Sequence, residues 1–236
     1  MKPETAQKLL NLVKDNYQAI AADFDKTRRK EAWPELQRFV ALAAKGRKIL
    51  DIGCGNGRLI STLNIAADDY QGIDNSDALL SIAKTRYPEY RFLSGDILDL
   101  DKIGSETYDS IFCLAVWPHI PSAVLRIKAL ENMKARLSSN GTIVISAWNL
   151  WSPAWSGRHY RSLILKSWWQ GLIGHQDLDF GDILFPWKDT QGTVVSQRYY
   201  HAFRSGELVR LASAAGFKIV GIKKDRFNYW LILNKK

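Results

Sequence analysis

The sequence predicts an α/β domain with a mostly parallel seven-stranded sheet, helices on both faces and an antiparallel last strand. Two observations predict this fold. Short apolar runs alternate with helical patterns through the middle of the chain, which is typical of parallel sheets because each crossover helix returns the chain to the same end of the sheet. Three glycines directly follow the first apolar run, at the edge where open α/β sheets bind their ligands.

The individual elements follow from the spacing of the apolar residues. Strands are predicted at 48–52, 70–74, 90–94, 109–115 and 141–148. Helices are predicted at 6–24, 33–44, 76–86, 121–137 and 205–215. Two late runs, at 217–222 and 228–233, are separated by a short connection and predict an antiparallel hairpin that closes the sheet.

Length and pattern predict one domain over residues 1–236, with no linker between two halves. Residues 1–46 form a predicted N-terminal helical extension. The alternation stops after residue 148, and residues 149–204 are rich in tryptophan, so we predict a substrate-side insertion after the fifth strand, with few strands.

The net charge of +9 is unevenly distributed. Residues 1–48 carry 11 Lys/Arg against 6 Asp/Glu, residues 49–149 carry 9 against 12, and residues 150–236 carry 13 against 6. Basic flanks of this kind favour a polyanionic partner only weakly, because a charged surface also keeps a protein soluble.

The sequence has no apolar run long enough for a membrane span and no secretory signal at its start. Its two cysteines, Cys54 and Cys113, belong to no CxxC pair. We therefore expect reduced thiols in a cytoplasmic protein, with no membrane partner and no metal site.

The glycine loop "DIGCGNGR" differs from a dinucleotide-binding fingerprint, because Arg58 occupies the position of the third glycine and Gly57 comes one residue earlier. Acidic residues stand at the ends of the first three predicted strands: Asp51, Asp74 and Asp96. A carboxylate such as Asp74 can accept both hydroxyls of a ribose, and Asp96 is placed to accept from an adenine amine.

These motifs resemble those of the class I S-adenosylmethionine-dependent methyltransferases. The resemblance lies in "DIGCGNG", in "GID" with its ribose-binding acid, and in "GDILDL" with its adenine-side acid. It implies a Rossmann-like fold and S-adenosyl-L-methionine as cofactor. The cofactor-binding residues that it implies are Asp51, Gly53, Cys54, Gly55, Gly57, Asp74, Asn75, Asp96, Ile97 and Leu114.

A narrower resemblance, to the tRNA wobble-uridine methyltransferases that esterify 5-carboxymethyluridine, spans nearly the whole chain. It is carried by "NYQAIAADFDKTRRKEAWPELQRF", "LAVWPHIPS", "LFPW" and "QRYYHAFRSGELVRL". It implies the tRNA anticodon stem-loop as partner, and in some relatives a small zinc-binding activator subunit. Two features depart from the family pattern: Pro118 precedes His119 where the family has two histidines, and "NLWSP" replaces a Glu-Gln pair.

Single-stranded RNA is recognised by aromatic stacking and by cations that hold phosphates. The candidate substrate residues of this kind are Arg198, Tyr199, Tyr200, His201 and Arg204. The resemblance adds Arg28, which matches the family's "TR", and His119 is a candidate for the methyl-transfer pocket. The alternative is that the tyrosines pack the insertion onto the sheet. We assign no catalytic base, since a carboxylate acceptor is already ionised near neutral pH.

Two other functions stay open at this point. A small-molecule methyltransferase would use the same glycine loop and acidic residues. A non-catalytic adaptor could keep the cofactor pocket without methyl transfer.

Overall fold

The computed structural model describes residues 1–27, 36–39, 48–63, 65–174, 177–188 and 191–236. The helices are α1 (Pro3–Ala19), α2 (Ala21–Thr27), α3 (Asp77–Arg86), α4 (Ala123–Arg136), α5 (Tyr160–Leu172) and α6 (Ser205–Ala214). The strands are β1 (Ile49–Ile52), β2 (Tyr70–Asp74), β3 (Arg91–Ser94), β4 (Tyr108–Leu114), β5 (Leu137–Trp148), β6 (Asp182–Lys188), β7 (Val194–His201), β8 (Phe217–Lys224) and β9 (Asn228–Lys235).

Seven strands form one sheet in the order β3-β2-β1-β4-β5-β9-β8. The pairs among β1 to β5 are parallel, and β9 is antiparallel to both β5 and β8. The predicted fold, including its antiparallel last strand, is confirmed. Because the first five strands run the same way, all their carboxyl ends meet at one edge of the sheet, and this edge carries the site.

Successive residues of the central strands face opposite sides of the sheet, as a period of two requires. In β4, Ile111 and Cys113 pack toward α4 and α6, whereas Phe112 packs toward α3. The same alternation in β1 sends Leu50 and Ile52 to one core and Ile49 to the other. Both faces of the sheet are therefore buried, which explains why its strands are continuous apolar runs.

Some local predictions differ from the structure. The helix predicted over 6–24 is interrupted at Ile20, between α1 and α2. The glycine loop continues into successive turns over residues 55–62 rather than into a regular helix. Most of the helix predicted at 33–44 lies outside the described residues; residues 36–39 are helical. Among the helices described, none is long and apolar enough to cross a bilayer.

The segment between β5 and α6 was expected to contain few strands, and it has two, β6 and β7, whose positions were not predicted from the sequence. It forms α5 and a two-stranded antiparallel sheet of β6 and β7, with a small core of its own. Arg198 pairs with Phe185 and Tyr200 with Ile183 across this sheet. The "RYYH" motif thus lies on a strand, so that Arg198 and Tyr200 face one side and Tyr199 and His201 the other.

A buried polar network fastens this small sheet to the main domain. Asp182 Oδ1 lies 3.1 Å from Arg126 Nη2 and 2.6 Å from His201 Nδ1, and it accepts a 2.7 Å hydrogen bond from the Tyr199 hydroxyl. Nε2 of His201 lies 2.9 Å from Glu207. Burial alone would raise the pKa of Asp182, but the hydrogen bond and charge of His201 and the charge of Arg126 hold it below its usual value. The network therefore joins α4, β6, β7 and α6.

Replacement of Asp182 by alanine should destabilise the fold, because it leaves the buried guanidinium of Arg126 without its nearest compensating charge. We expect the free energy of unfolding to fall by about 3–5 kcal/mol for Asp182→Ala, measured by chemical denaturation. The control is Asp99→Ala, which removes an exposed carboxylate paired with Lys102 and should cost no more than about 1 kcal/mol. Equal effects of the two substitutions would contradict this account of the network.

Candidate active site

A cavity of about 530 Å³ opens at the carboxyl edge of the sheet, a volume typical of small-molecule sites. One half is lined by the glycine turn and by residues at or after the ends of β1 to β4. The other half is lined by aromatic residues and Arg198. Side chains of α1 and α2, Leu10, Val13, Tyr17, Phe24 and Thr27, complete the wall.

The turn after β1 requires glycine at Gly53 for two reasons. Its φ of +67° is unfavourable for other residues, and a Cβ there would lie 2.2 Å from Cγ2 of Val116. Gly57 is required by close packing against another side chain, because a Cβ at this position would come within 2.9 Å of the Tyr87 ring. Gly57 packs against that ring and does not line the cavity.

Asp74 ends β2 and is held by the backbone. Its two carboxylate oxygens accept hydrogen bonds of 2.8 Å each from the amides of Gly55 and Ser76. Burial raises the pKa of Asp74 to about 6, although these amide hydrogen bonds oppose the rise. A carboxylate oxygen has further acceptor capacity after one such bond, so Asp74 can still accept hydroxyl groups from a ligand in the cavity.

Asp96 follows β3 and faces the same half of the cavity. Its oxygens accept from the amide of Leu98 at 2.9 Å and from the side-chain amide of Asn75 at 3.3 Å. Asn75, Ile97 and Leu98 line the cavity beside it. This half combines two fixed acceptors with apolar walls, as an adenosine group requires.

Asp51 lies deeper, behind the glycine turn. Its Oδ2 accepts a 2.8 Å hydrogen bond from the Tyr70 hydroxyl. Burial raises the pKa of Asp51 to about 7, and the hydrogen bond from Tyr70 only partly offsets this effect. With its pKa near neutral pH, Asp51 would gain negative charge when a cation binds in the cavity.

His119 stands between the two halves with both ring nitrogens engaged. Nδ1 lies 3.0 Å from the Tyr199 carbonyl oxygen, which only accepts, so Nδ1 carries the proton and Nε2 accepts from the Tyr17 hydroxyl at 2.8 Å. Burial lowers the pKa of His119 to about 4. The imidazole is thus neutral at physiological pH and is positioned by hydrogen bonds.

Aromatic rings form most of the second half. Tyr200 stacks on Trp148, with ring centroids 4.9 Å apart, and Trp148 stacks on Trp155 at 5.6 Å. The ring of His119 lies 4.1 Å from that of Tyr200. Such walls exclude water and favour flat, apolar ligand groups.

Arg198 is the charged group of this half. It is 7% exposed, and its guanidinium carbon lies 4.2 Å from the ring centroid of Trp187 and 4.6 Å from that of Phe185. Its Nε has no hydrogen-bond partner among the residues that the structure describes. Within the described part of the chain, no carboxylate forms an ion pair with Arg198. A buried arginine in this state is a binding group for an anion that enters the cavity.

Most predicted site residues come together in this cavity. They are Asp51, Gly53, Cys54, Gly55, Asp74, Asn75, Asp96, Ile97, Leu114, His119, Arg198 and Tyr200. Arg28 lies outside the described residues.

Three predicted substrate residues do not line the cavity. Tyr199 and His201 point the other way along β7 and are buried in the Asp182 network, so the prediction that their side chains contact substrate is corrected. Arg204 is exposed and lies over the rings of Trp151 and Phe180, at 4.5 and 4.6 Å.

Three residues that line the cavity, Tyr17, Trp148 and Trp187, were not predicted from the sequence as site residues. The end of β5 was a usable signal for Trp148, because it lies at the same edge as the other strand ends. No metal-binding group of three or more His, Cys, Asp or Glu side chains occurs among the residues described. The arrangement can hold a nucleoside at one end and orient an anionic acceptor at the other.

Similarity to known sequences agrees with this geometry. A model of the methyltransferase domain family matches residues 24–222. A tRNA (carboxymethyluridine(34)-5-O)-methyltransferase of Saccharomyces cerevisiae is 26% identical, with 99% of each chain covered. Its namesake from Schizosaccharomyces pombe is 28% identical over 93% of this chain and 94% of that protein.

Similar solved structures share the fold. A SAM-dependent methyltransferase from Methanosarcina mazei superposes with a TM-score of 0.64 at 18% identity, covering 87% of this chain and 99% of that one. Magnesium protoporphyrin IX methyltransferase from Synechocystis PCC 6803, solved with bound SAH, has a TM-score of 0.63 at 17% identity, covering 97% and 100%. The family model spans most of the sequence, and the chain belongs to the methyltransferase domain family.

Proposed function

We propose that this methyltransferase transfers the methyl group of S-adenosylmethionine to the carboxylate of a 5-carboxymethyluridine at the wobble position of tRNA. The observation that carries the proposal is one cavity that joins a nucleoside-binding half to a buried arginine with no carboxylate partner among the described residues. The activity for which the two yeast relatives are named supports the same substrate.

The residues of the first half fit the cofactor. Asp74 would accept from the ribose hydroxyls, Asp96 from the adenine amine, and the turn at Gly53 and Gly55 lets the backbone approach the ligand closely. S-adenosylmethionine supplies a methyl group on a positively charged sulfur, so its transfer to a carboxylate gives a neutral ester and a neutral thioether and releases no proton.

The chain's own residues then act mainly by binding and orientation. Arg198 would grip the substrate carboxylate with parallel N–H bonds and fix the direction of its attacking oxygen. His119 cannot take up a substrate proton without losing its hydrogen bond from Tyr17, and its pKa of about 4 makes it a poor base. A carboxylate acceptor needs no base, so the site and the substrate match.

The tRNA part of the proposal is supported by charge and by aromatic surface. Residues 1–48 and 150–236 both carry an excess of Lys and Arg, which favours the phosphate backbone of RNA. A wobble base is unpaired in its loop, so it can enter an aromatic-walled cavity without the cost of opening a duplex. A zinc-binding activator subunit and a cytoplasmic location stay predictions.

The first prediction concerns the ribose carboxylate. Asp74→Ala should weaken S-adenosylmethionine binding roughly tenfold or more, measured by calorimetry, because two hydrogen bonds to a charged acceptor are lost. Asp77→Ala is the matched control, since that carboxylate is exposed and lies outside the cavity. Cofactor binding by Asp74→Ala at wild-type affinity would refute the assignment.

Cofactor affinity should also depend on pH through Asp74. Its raised pKa means that the ligand-free carboxylate is protonated below about pH 6. If the ribose hydroxyls need the ionised form, affinity should be constant above that pH and fall toward tenfold per pH unit below it, by proton linkage. Binding titrations at several pH values check this, and in Asp74→Ala the fall in cofactor affinity below about pH 6 should be absent.

The reaction itself is tested with labelled methyl transfer. With saturating cofactor and a carboxymethyluridine stem-loop, the single-turnover rate should vary little between about pH 6.5 and 8.5, because no acceptor proton must leave. Nucleoside mass analysis should find the label in a methyl ester. A rate that rises tenfold per pH unit would contradict a carboxylate acceptor, and label entering only small carboxylic acids would favour a metabolite methyltransferase.

A further inference from the structure

The charge of Arg198 does not change when substrate becomes product. The rings of Trp187 and Phe185 contact its guanidinium, and the ring centroid of Tyr200 lies 5.9 Å from its guanidinium carbon. Arginine stays protonated throughout the physiological range. The cavity therefore presents the same fixed cation to the acid before methyl transfer and to the ester after it.

Nothing described around Arg198 replaces the charge that esterification removes. In the described part of the chain no carboxylate pairs with this arginine, and its Nε has no partner. The neighbouring His119 is neutral at physiological pH, because burial and, to a smaller extent, the charge of Arg198 lower its pKa. An ester would leave a buried guanidinium facing only a neutral carbonyl oxygen.

A carboxylate offers the guanidinium an opposite charge and two equivalent oxygens for parallel hydrogen bonds, whereas an ester offers only a neutral carbonyl oxygen. A buried guanidinium without a good acceptor weakens ligand binding further, because no hydrogen bond offsets the free energy of removing it from water. The same cavity that holds the acid should therefore hold the ester poorly.

We propose that Arg198 is a charge-selective specificity residue that binds the carboxylate form of the substrate and favours release of the neutral ester. The proposal rests on the proposed function, because it takes the carboxymethyl group as acceptor. It adds that methyl transfer itself weakens product binding, so that release needs no separate conformational trigger at this residue.

The test uses the full chain with SAH, which has no methyl group to transfer. Dissociation constants are measured for three otherwise identical anticodon stem-loops, whose wobble uridine carries a carboxymethyl group, its methyl ester or its carboxamide. For the wild type we expect the acid to bind roughly ten- to hundredfold more tightly than either neutral form. Equal affinities for the three stem-loops would overturn the proposal.

Variants assign the selectivity to Arg198. Arg198→Met keeps an unbranched, flexible side chain without the charge and should bring the acid-to-ester ratio to within about twofold of one, mainly through weaker acid binding. Arg198→Lys keeps a charge without the planar fork, so it should retain part of the ratio. Arg210→Ala is the control, because that arginine is exposed on α6, and it should leave the ratio unchanged.

A structural role would produce a different pattern. If Arg198→Met weakened acid, ester and SAH binding equally, the selectivity would not belong to this guanidinium, and the proposal would fall. Should Arg198→Met not fold, the wild-type ratio and the Lys variant decide. The two proposals are separable: methyl transfer without acid selectivity refutes only this inference, whereas acid binding without methyl transfer refutes the proposed function.

Discussion

The guanidinium of Arg198 is the charge on which the substrate half of this site depends. It is buried, held between aromatic rings and without a carboxylate partner in the described chain. Such a group is costly in a ligand-free protein, so its surroundings must hold it in place. The β6–β7 sheet does this, because β7 turns Arg198 and Tyr200 toward the cavity. On its opposite side, Tyr199 and His201 contact Asp182, which pairs with Arg126 of α4.

The two halves of the cavity use opposite electrostatics. The nucleoside half contains carboxylates whose pKa values burial raises, to about 7 for Asp51 and about 6 for Asp74. The acceptor half contains a fixed cation and a neutral histidine. A cationic methyl donor suits the first half and an anionic acceptor the second, so the charge pattern favours the arrangement that transfer needs.

Much of the nucleoside half could be predicted from the sequence, because its determinants are local. A strand, a glycine turn and acids at successive strand ends determine where Asp51, Asp74 and Asp96 meet, once the sheet is parallel. The late hairpin was predictable for the same reason. The alternation of side chains along β7 was not predicted, because the surrounding segment is rich in tryptophan and shows no clear strand pattern in its sequence. Tyr199 and His201 were therefore assigned to the substrate together with Arg198 and Tyr200, although adjacent residues of a strand face opposite sides.

The contacts within the buried Asp182 network could not be predicted from the sequence either. Arg126 lies on α4 and Asp182 on β6, 56 residues apart, and nothing local pairs them. Tyr17 reaches His119 from the first helix in the same way. Contacts of this kind depend on how the N-terminal helices and the β6–β7 sheet pack on the domain, which neither composition nor periodicity determines.

The central claim is that the cavity binds an ionised carboxylate through Arg198. The most direct measurement is the pKa of that carboxylate in the complex, followed by ¹³C NMR of a stem-loop labelled at the carboxyl carbon, with SAH bound. A guanidinium in contact should lower this pKa by about one to three pH units relative to the free stem-loop, and Arg198→Met should abolish the decrease. A bound carboxyl group whose pKa equals or exceeds that of the free stem-loop would contradict the account.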